Sequence, residues 1–227
     1  MQRRLTSATP LATALAPLVA VFLATSAPAL AQQSPNVHVG RFSAGDLNGW
    51  EARAFSGQTE YRLTTDGGRR VLAARTNGGA SGRFRKIKID LTRTPFINFS
   101  WKVSGVYKGI NEATKAGDDF PARVYVVRER GLMGMSTVAL NYVWSSGRPV
   151  GAMWASPYTS QVKLIALNSG AGDAGAWARH KRNVREDLRR AFGEDITQID
   201  AVALMSDSDN FKGDAEAAYG DIWFSAR

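Results

Sequence analysis

Alternation of apolar and polar residues is the feature that most constrains how this chain can fold. In residues 96–104 (FINFSWKVS) and 137–144 (TVALNYVW), every second residue is apolar. A period of two is typical of β-strands with one buried face. Trp101 and Trp144 fall on these apolar faces and are therefore expected in the core. Residues 161–167 (QVKLIAL) and 200–206 (DAVALMS) are apolar on both faces, which is expected of strands in the middle of a packed sandwich.

Turn signals separate these stretches from several shorter strand patterns. Asp66–Gly68, Asn77–Gly79 and Ser145–Pro149 each combine glycine or proline with small polar residues. A phase slip at Arg85–Lys86 in "GRFRKIKIDL" indicates an extra residue in the strand, which is a β-bulge. Further strands are predicted at residues 37–42, 59–63, 70–75, 121–128 and 219–224.

One segment has the pattern of an amphipathic helix, from about Asn183 to Phe192. Asn183 is a suitable N-cap, and Glu186 stands three residues later as in a capping box. Gly193 follows where a C-cap glycine is expected. Many short strands with a single helix predict an all-β protein, a two-sheet β-sandwich of the jelly-roll type.

The N-terminus has the three parts of a secretory signal peptide. Arg3 and Arg4 precede an apolar run at residues 11–23, and small residues follow up to Ala31. We expect residues 1–31 to be removed and residues 32–227 to form a single domain. The apolar run is shorter than the about 20 residues that cross a bilayer, so a membrane-spanning protein is not expected. The predicted location is the periplasm or the extracellular medium.

Composition excludes several kinds of site. The chain has no cysteine and only two histidines, His38 and His180, so thiolate metal sites and disulfides are excluded. Its formal net charge is +9 at pH 7. Positive charge on an exported protein favours anionic surfaces and glycans, or it only maintains solubility. Nucleic acid is not an expected partner, because the compartment is wrong.

Five carboxylates lie between Leu204 and Phe224, and they are Asp207, Asp209, Asp214, Glu216 and Asp221. Alternating oxygen ligands are typical of calcium loops, but the EF-hand spacing fails at Phe211 and Lys212. A strand-end calcium site at Asp207 and Asp209 therefore stays one hypothesis. The other is a polar connection between two strands, which is favoured for Asp214 and Glu216.

The position of Asp207 in the sequence predicts a buried carboxylate. This residue is in phase with Ala203 and Met205 of a strand that is expected to be buried. A buried carboxylate requires a partner, and an arginine is the expected one.

A second acidic site occurs in "AGDDFPARVYVV", residues 116–127. Asp118 and Asp119 precede a strand on which Arg123 and Tyr125 share a face. These residues form either a loop-closing Asp–Arg pair or a sugar-binding set. Glycoside hydrolysis needs two carboxyl groups roughly 5–10 Å apart, which these acids and Asp207 or Asp209 supply only if the two loops meet.

The stretch "SSGRPVGAMWASPY", residues 145–158, has the composition of a loop. Trp154 and Tyr158 are therefore expected to be exposed, where aromatic rings stack against the C–H faces of sugars. The sequence contains no G-x-S-x-G motif and no nucleotide-binding glycine loop. We assign no catalytic residue.

Four blocks together resemble a bacterial family, the domain of unknown function 3047. They are "AGDDFPARVYVV", "LNYVW", "NVREDLRRAFGEDITQIDAVALMSDSDN" and "AAYGDIWFS". The resemblance extends from about Phe42 to Phe224. The opening "GDLNGWE…TEYRL…RVLAART…ASGRF" is also similar to galactose-binding-like jelly-roll modules. The family implies an exported sandwich of that kind, and it implies no established activity.

The sequence hypothesis is an exported, non-catalytic binding module for a carbohydrate, including an anionic envelope or extracellular polysaccharide. One alternative is a glycan hydrolase or lyase on the same scaffold. Another is a cell-envelope protein-interaction domain with a basic face at Arg185, Arg189 and Arg190. No cofactor other than calcium is considered. The candidate ligand-binding residues are Asp118, Asp119, Arg123, Tyr125, Trp154, Tyr158, Asp207, Asp209 and Asn210.

Overall fold

The alternating stretches form the strands of two sheets in the computed structural model, which describes residues 36–131 and 136–227. Sheet I contains β1, β3, β4, β6, β11, β13 and β14, and sheet II contains β2, β5, β7, β8, β9, β10 and β12. The strands are β1 Val37–Gly40, β2 Glu51–Ser56, β3 Thr59–Asp66, β4 Arg69–Asn77, β5 Ala80–Asp90, β6 Phe96–Val103, β7 Arg123–Arg128, β8 Val138–Ser145, β9 Met153–Ala155, β10 Val162–Ser169, β11 Ala178–Asn183, β12 Gln198–Asp207, β13 Asp214–Tyr219 and β14 Ile222–Ser225.

Sheet II places the strands that matter most for a site beside one another. Its order is β2-β5-β12-β7-β8-β10-β9, and β8 and β10 are parallel while the other neighbours are antiparallel. In sheet I the order is β1-β14-β6-β13-β4-β3, and β11 pairs with β6. The predicted all-β class, a two-sheet sandwich of the jelly-roll type with one short helix, is confirmed.

Large side chains from both sheets fill the space between them. Trp101 of sheet I and Trp144 of sheet II are fully buried, with ring centroids 6.3 Å apart. Asn168 Oδ1 accepts a hydrogen bond from Trp101 Nε1 at 2.8 Å and lies 2.8 Å from His180 Nε2. Because that oxygen is only an acceptor, His180 donates from Nε2. Burial and the nearby charge of Arg182 lower the pKa of His180 to about 4.

The predicted helix forms as α1, Val184–Phe192. Asn183 is its N-cap and accepts from the backbone of Glu186, and Gly193 ends it in the left-handed conformation. On its buried side, Asp187 accepts from Tyr142 Oη of β8 at 2.9 Å. That hydrogen bond holds the helix against the inner face of sheet II.

Several strand predictions need correction. The predicted strand at 219–224 is two strands, β13 and β14, which are separated at Gly220 and Asp221. Asp214 and Glu216 belong to β13, so the polar-connection interpretation was wrong for both. The bulge in β5 is confirmed, but the register shifts between Lys86 and Ile89.

The predicted signal peptide, residues 1–31, lies outside the described residues. Within the described part of the chain, no helix is long and apolar enough to span a membrane.

Candidate functional site

A groove of about 370 Å³ crosses the outer face of sheet II, and we call it the sheet II groove. Side chains alternate along β7, so Val124 and Val126 lie in the core while Arg123, Tyr125 and Val127 face outward. The residues that line the groove are Arg53, Phe55, Gly82, Arg83, Phe84, Asp118, Arg123, Tyr125, Val127, Ala139, Asn141, Ser156, Tyr158, Thr159, Val162, Leu164, Ala203, Leu204 and Met205.

Two exposed aromatic side chains stand at the rim of this groove. Phe55 of β2 is 63% exposed, and Tyr158, which follows β9, is 56% exposed. Both also line an adjoining pocket of about 420 Å³, together with Asp118 and Tyr125. Tyr158 Oη lies 3.4 Å from the carbonyl oxygen of Lys115, so it leans toward the loop before β7. The exposure predicted for Tyr158 is confirmed.

Trp154 is placed differently from the prediction. It lies in β9 rather than in a loop and is only partly exposed. Its Nε1 donates to the carbonyl oxygen of Glu112 at 3.3 Å, and its ring packs against Phe120. The guanidinium of Arg148 also lies over the ring, 4.5 Å from its centroid. Trp154 does not line the sheet II groove.

The expected arginine partner of Asp207 is Arg123. Arg123 Nε donates to Asp207 Oδ1 at 2.7 Å, and Nη2 donates to Oδ2. Nη2 also donates to the carbonyl oxygen of Asp118, and Nη1 lies 3.3 Å from Tyr125 Oη. Asp207 is 1% exposed and Arg123 is 4% exposed. Burial raises the pKa of Asp207, and the guanidinium of Arg123 opposes that rise. This ion pair joins β7 to β12, and most of its polar atoms already have hydrogen-bond partners within the protein.

Asp119 and Asn210 likewise bond to each other, and Asn210 lines the adjoining pocket rather than the sheet II groove. Asp119 is fully buried, and its carboxylate accepts from the backbone of Asn210 at 3.0 Å and from Asn210 Nδ2 at 3.1 Å. It also accepts from the backbone of Phe211. Asp119 therefore closes the loop that follows β12.

Asp118 keeps one oxygen without a hydrogen bond in the described part of the chain. That oxygen, Oδ1, lies 3.7 Å from Arg123 Nη1. Burial raises the pKa of Asp118, and Arg123 opposes the rise. Burial, then the charge of Asp119, raises the pKa of Asp209, which is partly exposed beside Asp118 in the adjoining pocket.

The carboxylates of Asp119, Asp207 and Asp209 bring one oxygen each within 4.8 Å of one another. Calcium binds six to eight such oxygens. However, both oxygens of Asp207 already accept from Arg123, and those of Asp119 accept from Asn210 and Phe211. A cation here would lie beside a guanidinium and compete with these donors. The donor set as arranged does not fit the calcium hypothesis.

The arginines of the basic face proposed for α1 lie in ion pairs. Arg185 and Arg189 both donate to Asp195, at 2.7 Å or less, and Arg190 lies 3.7 Å from Asp187. Arg185 and Arg189 share one carboxylate, and Asp187 is also bound by Arg182, so this face keeps part of its positive charge.

Sequence reasoning missed Phe55 of β2 and, among the buried groove residues, Asn141 of β8. Asn141 is 1% exposed, and neither its Oδ1 nor its Nδ2 has a hydrogen-bond partner in residues 36–131 and 136–227. The available signal was an amide on the outward face of "TVALNYVW", between Ala139 and Val143.

Comparison with known proteins matches residues 48–223 to the family model described as "Protein of unknown function (DUF3047)". The chain belongs to the DUF3047 family. This confirms the family that the sequence blocks resembled. No curated protein matches this DUF3047 chain.

Solved structures with similar folds include the family 11 carbohydrate-binding module of a cellulosomal cellulase from Clostridium thermocellum. The TM-score is 0.45 at 9% identity, over 86% of this DUF3047 chain and 97% of that chain. A cellulase derived from Cel12A of Rhodothermus marinus gives 0.44 at 9% identity, over 83% and 100%. TmCBM61 in complex with β-1,4-galactotriose gives 0.38 at 9% identity, over 82% and 94%. Because all three scores are below 0.5, their functions are not transferred to this chain.

Proposed function

We propose that this DUF3047 protein is an exported carbohydrate-binding module that holds a glycan in the sheet II groove. The observation that carries the proposal is the pair of exposed aromatics, Phe55 and Tyr158, over an open groove with a largely apolar floor. Export rests on the signal-peptide pattern of residues 1–31.

The chemistry of the groove suits a sugar chain. Large apolar side chains are rarely left exposed together unless they serve an interaction. Aromatic rings accept the C–H face of a pyranose, and a few polar groups beside them fix its orientation. Ala203 keeps the floor low between Phe84 and Tyr125, and Gly82 keeps it low beside Met205, so an extended chain can lie across the strands.

Binding to a panel of neutral and acidic oligosaccharides by isothermal titration calorimetry tests the proposal. We expect at least one glycan to bind, and Phe55→Ala and Tyr158→Ala each to weaken it by about tenfold, the effect of a well-packed aromatic contact. Val150→Ala is the matched control, because Val150 is 66% exposed and does not line the groove. Binding that is unchanged in both aromatic variants contradicts the proposal.

The same titration at two salt concentrations distinguishes an anionic glycan from a neutral one. Arg53 and Lys115 lie beside the rim aromatics, with Arg53 Cζ 5.4 Å from the Phe55 ring and Lys115 Nζ 5.3 Å from the Tyr158 ring. An anionic polysaccharide is expected to lose affinity as salt screens these cations, whereas stacking of a neutral sugar persists.

Glycan cleavage is a second candidate, and Asp118 is the observation that favours it. Its buried carboxyl faces the groove with a raised pKa, as a general acid requires. Release of labelled fragments, abolished by Asp118→Asn while binding persists, supports cleavage. Binding without product release contradicts it.

A further inference from the structure

The outer face of sheet I carries a pocket of about 630 Å³, which we call the sheet I pocket. Side chains alternate along β6, so Asn98 and Ser100 face outward between residues of the core. The register of β11 against β6 places Lys181 beside Asn98 and Arg179 beside Ser100. Both cations therefore project from this outer face, and both line the pocket.

The pocket holds more positive than negative charge. Arg69, at the start of β4, is its third cation. Arg69, Arg179 and Lys181 are exposed, and none of them pairs with a carboxylate in residues 36–131 and 136–227. Among the described residues that line the pocket, Asp221 is the single acid, and both of its oxygens already accept from Ser43. Three cations thus share a pocket in which one carboxylate already has its own hydrogen-bond donors.

Neutral groups of the sheet I pocket add further hydrogen-bond donors. Trp223 is half-buried, and its Nε1 has no acceptor within the described ranges. The hydroxyl of Ser100 likewise has no partner in those ranges. Gly220 has no side chain to cover it, since a Cβ there would lie 2.3 Å from Ser100 Oγ. The free groups of the pocket are therefore mainly donors, and three of them are charged.

We propose that the sheet I pocket binds an oxyanion group, such as the sulfate or phosphate of an acidic ligand. An oxyanion offers acceptor atoms and negative charge together, and hydrogen bonds from arginine and lysine to it are charge-assisted. A neutral hydroxyl group gains nothing from the three charges. This site lies on the other sheet from the sheet II groove, so it does not depend on the proposed function.

Titration with sodium sulfate, followed by NMR of the indole N–H signals, tests the site directly. The indole of Trp223 lines the pocket, and comparison with Trp223→Phe assigns its signal. We expect that signal to shift and to saturate as sulfate is added. Sodium chloride at the same ionic strength is the control, and it is expected to leave the signal in place.

Paired variants separate a built site from the overall charge of the protein. Arg179→Ala combined with Lys181→Ala is expected to weaken sulfate binding by at least about tenfold, since it removes two charged donors. Lys86→Ala combined with Lys88→Ala is the matched control. These lysines are also exposed at alternate positions of one strand, β5 of sheet II, and they do not line the sheet I pocket. The control makes the same change in net charge and is expected to weaken binding by less than about twofold.

Dextran sulfate and dextran show whether a polymer carries the oxyanion. Binding of dextran sulfate but not dextran, weakened by the pocket variant and not by the control, identifies a sulfated polymer as ligand. Binding of inorganic sulfate without dextran sulfate identifies the free ion.

Two results overturn the inference. One is an equal loss of binding in both double variants, which reflects net charge alone. The other is a Trp223 signal that sulfate does not move. Phe55→Ala and Tyr158→Ala, which test the sheet II groove, are expected to leave sulfate binding unchanged, so failure of the proposed function is distinguishable from failure of this site.

Discussion

Replacing Arg123 by methionine tests whether the Arg123–Asp207 pair is structural. Methionine fills a similar volume but leaves the Asp207 carboxylate, 1% exposed, with only the backbone N–H of Phe120 at 3.3 Å. Removing one partner of a buried ion pair lowers the free energy of unfolding by about 3–5 kcal/mol. For a domain of 150–250 residues, each kcal/mol shifts Tm by about 2–4 °C, so we expect a loss of roughly 6–20 °C.

Urea unfolding and thermal scans of three variants measure this effect. Arg128→Met is the matched control on the same strand, because its partner Asp200 is bound at 2.9 Å and the arginine is 31% exposed. It is expected to cost less than about 1 kcal/mol. Arg123→Met combined with Asp207→Leu is expected to recover most of the loss, since no unpaired charge remains buried.

The loss of stability in Arg123→Met is expected to depend on pH. In Arg123→Met, burial without the opposing guanidinium holds the folded-state pKa of Asp207 above its unfolded value. Stability from that group is therefore present at low pH and lost as pH rises through the folded pKa. The deficit relative to wild type is expected to be smaller at pH 5 than at pH 8. An Arg123→Met loss under 1 kcal/mol, or a double variant as unstable as the single one, refutes a structural pair.

Three further changes probe other parts of the sandwich. Because burial lowers the pKa of His180 to about 4, the free energy of unfolding of the wild type falls by up to roughly 3 kcal/mol as pH drops from 6.5 through 4. Urea unfolding of His180→Gln at several pH values is expected to give a flatter dependence on pH. Asn183→Ala removes the N-cap bond to the backbone of Glu186 and is expected to lower the free energy of unfolding by about 1 kcal/mol in the same assay. An unchanged free energy of unfolding would show that this cap does not stabilise α1. Asn141→Leu removes two unpaired buried atoms, so the ligand-free protein is expected to gain about 1–2 kcal/mol; a lower Tm contradicts the absence of a partner.

The sequence predicts those parts of the fold in which one face of a strand is apolar. β6 and β8 follow their alternation, and Trp101 and Trp144 lie where it places them. β2 and β11 were missed because they lie at sheet edges and neither carries an apolar face, since all of β2 is exposed and β11 is rich in basic residues. β13 was missed because its inward side chains are alanines, which give a weak hydrophobic signal among acidic neighbours.

Sequence reasoning selected Asp118, Arg123, Tyr125 and Tyr158, which line the sheet II groove, but it also relied on charged residues that pair within the protein. It chose Asp119, Arg123 and Asp207, and these are the residues whose polar atoms the protein itself consumes. Sequence separation hides such partners, because Arg123 and Asp207 come from strands that pair only in the folded sheet.

The energetic cost of burial explains why charges and amides differ in this groove. An unpaired buried charge costs several kcal/mol, so a fold that buries Asp207 at the adjoining pocket must neutralise it with Arg123. An unpaired amide costs about 1–3 kcal/mol, which a domain of this size can sustain. A neutral side chain such as Asn141 can therefore stay unpaired, whereas the fully buried carboxylate of Asp207 requires its arginine.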